Sequence, residues 1–204
     1  MREPVKTSVI YYSSTGNVHA LATALAEGAE KAGSEVRLRK VAELAPPQAI
    51  AGNPKWAEHV ENTRDVAEAS LDDLLWADAV LLGTPTRYGA MASQLKQFID
   101  ITGPVWQQGL LADKVYGAFG SAGTRHGGHE STLLSLHTIF YHWGGIIVPP
   151  GYTHSVQFQV GTPYGTTHLD SDGEPGELAL ESGRYQARRA VETAAKLKAA
   201  RVPS

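Results

Sequence analysis

Ala79-Val80-Leu81-Leu82-Gly83 runs without a polar residue, entered from Trp76-Ala77-Asp78 and left through Thr84-Pro85. A short run with no polar alternation is what a β-strand covered on both faces looks like, and such strands belong to parallel sheets held between layers of helices. The rest of the chain repeats the same unit. Ser8 to Tyr12, Lys114 to Phe119 and Gly145 to Val148 are further short strand-like runs, while Glu35 to Val41 sets Val36 and Leu38 against Arg37, Arg39 and Lys40, as a strand nearer the sheet edge would. Between the strands fall helical stripes: Val18, Leu21, Ala22, Leu25 and Ala29, then Met91, Leu95, Phe98 and Ile99, then Leu133, Leu136, His137 and Phe140, and finally Ala187, Val191, Ala194 and Leu197. Leu71 to Trp76 reads as one further helical turn. Such alternation predicts one domain across residues 1–204, an α/β three-layer sandwich around a five-stranded parallel sheet. Ala45 to Ser70 is expected to be a long surface connection ending in a short helix, Val105-Trp106 to lie in a loop, Tyr152 to Gly176 to be long and irregular, and the tail from Arg201 to fray.

Charge and cysteine content narrow the function. With no cysteine, disulfides, thiolate metal sites and thiol catalysis are excluded, and a cytoplasmic protein is expected. The net charge of -3 leaves no basic footprint for direct nucleic-acid binding. No apolar run reaches the about 18 residues of a membrane span, and the apolar run after Met1-Arg2-Glu3-Pro4 is too short for a secretory signal.

In sheets of this kind ligands bind outside the carboxyl ends of the strands, where the strand order reverses. Three loops with the chemistry of a site are placed there. Ser13-Ser14-Thr15-Gly16-Asn17 joins the first strand to its helix, and its hydroxyls, its amide and the unpaired N–H groups of the helix suit an anion. The loop lacks the lysine of a nucleoside-triphosphate loop and the Gly-x-Gly-x-x-Gly of a dinucleotide fold, and the same residues would also serve as a plain helix cap. The second loop is Thr84 to Gly89 and the third Gly120 to Gly128. His126 and His129 flank two glycines without further ligands, so no metal is expected.

Taken together, Tyr11-Tyr12-Ser13 with its loop, Gly83-Thr84-Pro85-Thr86-Arg87-Tyr88-Gly89, Gly103-Pro104-Val105-Trp106, Ser121-Ala122-Gly123-Thr124, Ile147-Val148-Pro149 with Gly151-Tyr152, and Gly161-Thr162-Pro163-Tyr164-Gly165 resemble the WrbA-type NAD(P)H:quinone oxidoreductases over nearly the whole chain. The resemblance implies a flavodoxin-like fold with sheet order 2-1-3-4-5, an FMN cofactor, two-electron reduction of quinones by NADH or NADPH, and a homotetramer. Carried over by position, it implies that Ser13, Ser14, Thr15, Gly16, Asn17 and Val18 hold the FMN phosphate. The flavin would lie between Thr86-Arg87-Tyr88 and Ser121-Ala122-Gly123-Thr124, with His142 as a flavin-site histidine, Thr15 at the nicotinamide nucleotide and Trp106 at the substrate. The chain departs from the family in three places: Thr15 stands where tyrosine is frequent, Arg125-His126 stand where relatives have glycines, and the stretch from Tyr152 to Gly161 is shorter.

Arg87 is the residue expected to tune the flavin, since a guanidinium near the pyrimidine end stabilises the negative reduced ring. Trp106 and Tyr152 are candidates to wall an open flavin face over which nicotinamide and quinone bind in turn, a ping-pong exchange. His142 is expected to bond the flavin rather than to give a proton to the quinone. Two other readings compete, a one-electron carrier and a non-catalytic interaction protein. A carrier would show an acidic docking rim, which the mild net charge and Arg87 do not favour.

Overall fold

The computed structural model describes residues 3–200, so the fraying expected from Arg201 lies outside them. In chain order the elements are β1 (Lys6–Tyr11), α1 (Asn17–Lys31), β2 (Glu35–Lys40), α2 (Pro47–Ala51), α3 (Pro54–Asn62), α4 (Leu71–Trp76), β3 (Ala79–Arg87), β4 (Ala90–Met91), α5 (Ser93–Asp100), α6 (Gly103–Gln107), β5 (Val115–Ala122), α7 (His129–His142), β6 (Ile146–Ile147), α8 (Ser155–Val160), β7 (Thr166–Leu169), a 3-10 turn (Asp170–Asp172) and α9 (Glu177–Ala200). The parallel strands lie in the order β2-β1-β3-β5-β6. Leaving out the two-residue β4, which only folds back on β3, this is the expected 2-1-3-4-5.

Both faces of the sheet are covered because neighbouring strand residues point to opposite sides. Ile10, Val80 and Leu82 pack with Leu74, Leu95, Phe98, Leu136 and Phe140 under α4, α5 and α7. Val9, Tyr11 and Leu81 pack with Leu21, Leu25, Ala187 and Val191 under α1 and α9. Leu81 and Leu82 are both fully buried, and each contributes about 1.5–3 kcal/mol by leaving water.

Three stretches differ from the sequence expectation. Ala45 to Ser70 holds two helices: Asn53 caps α3 by accepting the Trp56 N–H at 3.3 Å, and Pro54 opens that helix where a missing N–H costs nothing. Val105 and Trp106 lie in α6 instead of a loop. Tyr152 to Gly176 contains α8 and β7, and β7 completes the sheet. β5 pairs with β6 only at Val115 and Tyr116, and with β7 from Phe119 to Ala122, so the fifth position of the sheet is one strand split by an excursion. The side chain of Gln186, wholly buried on α9, fills the gap by donating to the Ala118 carbonyl at 2.9 Å and accepting from the Thr166 N–H at 2.7 Å. Gly165 makes the return possible, since a Cβ there would stand 2.1 Å from the Ala118 oxygen. Among the described residues no helix is long and apolar enough to cross a membrane.

Candidate functional site

The three loops meet at the carboxyl ends of β1, β3 and β5. Gly16 has φ 103°, and its N–H donates to Ser13 Oγ at 3.1 Å, which curls the first loop on itself. No side chain caps α1 and its first turn holds no acid, so the N–H groups that open this 15-residue helix stay available to an anion. Val18 is buried in the core and offers only its backbone. The Asn17 side chain turns away from the loop and donates to Asp170 Oδ1 at 2.8 Å, tying α1 to the turn after β7.

β3 runs further than its apolar segment, through Thr86 and Arg87, and turns back at Tyr88 (φ 54°) and Gly89 (φ 80°) into β4. A tyrosine at positive φ costs about 1–2 kcal/mol, and here its ring is wholly exposed at the hairpin tip. Arg87 bridges two loops: it donates to its neighbour's Thr86 carbonyl at 3.0 Å and reaches Ser14 Oγ at 3.4 Å. Thr86 Oγ1 lies 2.7 Å from Thr132 Oγ1, fastening the hairpin to α7. In the third loop Ser121 and Ala122 are still buried strand residues, and exposure begins at Gly123 and Thr124. Gly128, at φ 107°, lets this loop touch the second, because a Cβ there would meet the Gly89 Cα at 2.7 Å.

A positioning residue escaped the sequence reading. Glu43 accepts from the Tyr12 hydroxyl (2.9 Å), the Trp56 indole N–H (3.0 Å), the Gln94 amide (2.8 Å) and the backbone N–H groups of Leu44 and Ala45. It thereby pins the residue that precedes the first loop to α3 and α5. Burial alone would raise its pKa, but these donors outweigh it and hold the carboxyl below its ordinary range. Lying just past an edge strand, Glu43 carries no local signal that separates it from a solvated acid. Beneath the loop, the rings of Tyr11, His19 and His59 follow one another in tilted contacts, with centroids 5.3 and 5.5 Å apart. Burial, then the charges of His19 and Lys40, push the His59 pKa down to about 4, so the ring is neutral at physiological pH. Thr15, Gly16 and Asn17 face a cavity of about 480 Å3 that His59 and Lys55 also line.

Three other sequence candidates do not join this cluster within one chain. Trp106 and His142 touch each other, the indole N–H donating to the His142 carbonyl at 2.7 Å, but both lie beside the start of β5. The seven rungs that pair β3 with β5 separate them from the loops by roughly 20 Å, at about 3.3 Å per residue. The helices that carry them run back down the sheet, which is why they sit at its opposite pole. Tyr152 lies in the excursion between β6 and β7, its ring 5.1 Å from Phe158 and its hydroxyl donating to the Gly161 carbonyl at 3.2 Å. Among the described residues no cluster of His, Asp and Glu could hold a metal ion.

The arrangement suits a flat ligand with a monoester phosphate. Hydroxyls and helix N–H groups form the anion end without a lysine, and a guanidinium and an exposed aromatic ring stand over the crevice. Residues 6–159 match the family described as NADPH-dependent FMN reductase. A NAD(P)H dehydrogenase (quinone) from Deinococcus radiodurans is 44% identical over 199 residues, covering 97% of this chain and 99% of its own. One from Caulobacter vibrioides is 41% identical over 200 residues, covering 94% and 98%. Among solved structures, a flavodoxin described as WrbA-like from Agrobacterium tumefaciens is similar at a TM-score of 0.68 and 26% identity, covering 94% of this chain and 98% of its own.

Proposed function

The chain belongs to the NADPH-dependent FMN reductase family, on its WrbA-like side, and on that premise we propose that it is an FMN-dependent NAD(P)H dehydrogenase that reduces quinones by two electrons in ping-pong fashion. The observation that carries the reading is the α1 N-terminus, free of any capping side chain, beneath the Arg87 bridge to Ser14. When bound, FMN supplies the redox chemistry, taking a hydride from the nicotinamide and passing the electron pair to the quinone. Ser13, Ser14 and Thr15 would hold the phosphate with their hydroxyls, and Gly16, Asn17 and Val18 with the backbone. Thr86, Arg87 and Tyr88 would hold the ring from one side and Ser121, Ala122, Gly123 and Thr124 from the other. Arg87 carries the positive charge that would favour a negative ring.

Trp106 and His142 serve this site from a second copy. Both are exposed, and Ile101, Leu110 and Tyr141 leave apolar surface open on the same segments. A homotetramer covers that surface and brings His142 to the flavin and Trp106 to the open face, with Tyr152 as a further wall. Sedimentation of a stable monomer with full activity would remove this part of the reading.

FMN-loaded protein mixed anaerobically with NADH or NADPH should lose its oxidised-flavin absorbance and regain it on adding benzoquinone. A flavin that stays oxidised with both nucleotides overturns the enzyme reading. Arg87→Ala should weaken FMN binding or slow its reduction by about tenfold or more, the size of a hydrogen bond to a charged group.

A further inference from the structure

The third loop continues from Thr124 into Arg125 and His126, and these two residues form one wall of a cavity of about 610 Å3. The rest of the wall comes from the start of α7, the end of α8, β7 and the start of α9. We propose that this cavity receives the adenosine-phosphate end of the nicotinamide nucleotide, an assignment that rests on the dehydrogenase reading above.

Size and chemistry both support a nucleotide. The volume falls within the range of small-molecule sites. Arg125 is exposed at the wall and has no partner among the described residues. Beside it begins α7, whose N-terminus no side chain caps but whose first turn carries Glu130, also in the cavity wall, so the Arg125 guanidinium is the positive group offered to a phosphate there. An independent observation comes from residues of the cavity wall. Thr162 is 5% exposed and its hydroxyl has no hydrogen-bond partner, and His129 Nδ1 is likewise buried and unpaired. Leaving such a group unsatisfied costs about 1–3 kcal/mol, which a ligand hydroxyl or ring nitrogen would recover.

The opposite wall excludes a bare anion as the intended ligand. Asp172 and Glu174 line it and would repel an isolated phosphate, whereas carboxylates are the usual acceptors for ribose hydroxyls. Val160 and Leu178 add apolar surface on which a base can lie. Cation, carboxylates and apolar wall together match phosphate, ribose and base. The cavity adjoins the third loop because Arg125 directly follows Thr124, so a dinucleotide seated there can extend its nicotinamide toward the ring. Arg125-His126, where glycines would contact nothing beyond the backbone, then acquire a role in binding the electron donor.

The test uses the full chain loaded with FMN and compares two hydride donors, NADH and reduced nicotinamide mononucleotide, which lacks the adenylate. Rapid anaerobic mixing should give a preference for NADH in wild type, and Arg125→Ala should shrink that preference by roughly 10–100-fold through weaker NADH binding, as expected for one charge-assisted contact. Leu178→Trp, which fills the cavity, should shrink it as well. An unchanged preference in both variants overturns the proposal, as does a wild type that reacts equally with both donors. If neither donor reduces the flavin, the dehydrogenase reading fails, and calorimetric titration with adenosine 5′-diphosphate still decides the cavity. Binding to wild type that is lost in Arg125→Ala supports it, and no binding, or equal binding to both proteins, overturns it.

Discussion

Replacing Gln186 by leucine tests how the sheet is closed at its split fifth position. The amide of Gln186 takes the place of the rungs missing between Tyr116–Ile147 and Phe119–Thr166, bonding the Ala118 carbonyl and the Thr166 N–H. All three residues are buried, Gln186 and Thr166 at 0% exposure, so no water can replace the lost partners. Each orphaned backbone group costs about 1–3 kcal/mol, and the better burial of leucine returns about 1 kcal/mol, leaving a net loss of roughly 1–5 kcal/mol. A whole domain has only about 5–15 kcal/mol to lose. Urea unfolding followed by circular dichroism should show a midpoint lower by roughly 0.5–2.5 M at an unchanged slope, for a slope near 2 kcal/mol/M. FMN affinity should fall too, since β7 leads directly to Asp170, which holds Asn17 of the first loop. A midpoint equal to wild type would refute the argument that this side chain stands in for the backbone ladder.

Glu43→Gln keeps the shape of the hub but presents an amide N–H2 to neighbours that already donate, and should raise the FMN dissociation constant by about tenfold, read by quenching of free flavin fluorescence; an unchanged constant would show that the Tyr12 tether is dispensable. Because the folded pKa of His59 is about 4, below its ordinary value, the unfolded chain binds the proton more tightly. The stability contributed by its neutral ring is complete above pH about 6.5 and falls on the order of 3 kcal/mol as the pH drops to about 4. His59→Gln should flatten that part of a stability curve measured by denaturant, and an identical acid limb would be evidence against the assignment. Gly128→Ala combines backbone strain of about 1–3 kcal/mol with a contact onto Gly89, so the second and third loops must part. Its FMN binding should weaken by about tenfold or more while global unfolding shifts by only a few degrees, and a flavin titration matching wild type would contradict it.

The apolar run from Ala79 and the stripes at Val18, Leu95, Leu133 and Ala187 determined the α/β class, the parallel sheet and its two helical layers, because burial period is a local property that neighbouring residues report. The strand-to-helix loop at Ser13 was legible for the same reason. β7 was not: Thr166-Thr167-His168-Leu169 is polar and short, and becomes a strand only because the upper half of β5 offers an open edge. Helices α2 and α3 are likewise too short to stand alone and are held by contacts such as Trp56 with Glu43. Tertiary structure alone decided that Trp106 and His142 meet at the far pole of the sheet, that Arg87 reaches back 73 positions to Ser14, and that Asn17 is held by Asp170, 153 positions away. Those pairings depend on where whole elements come to rest, a sum over the packed sheet and helices that no local window of sequence contains.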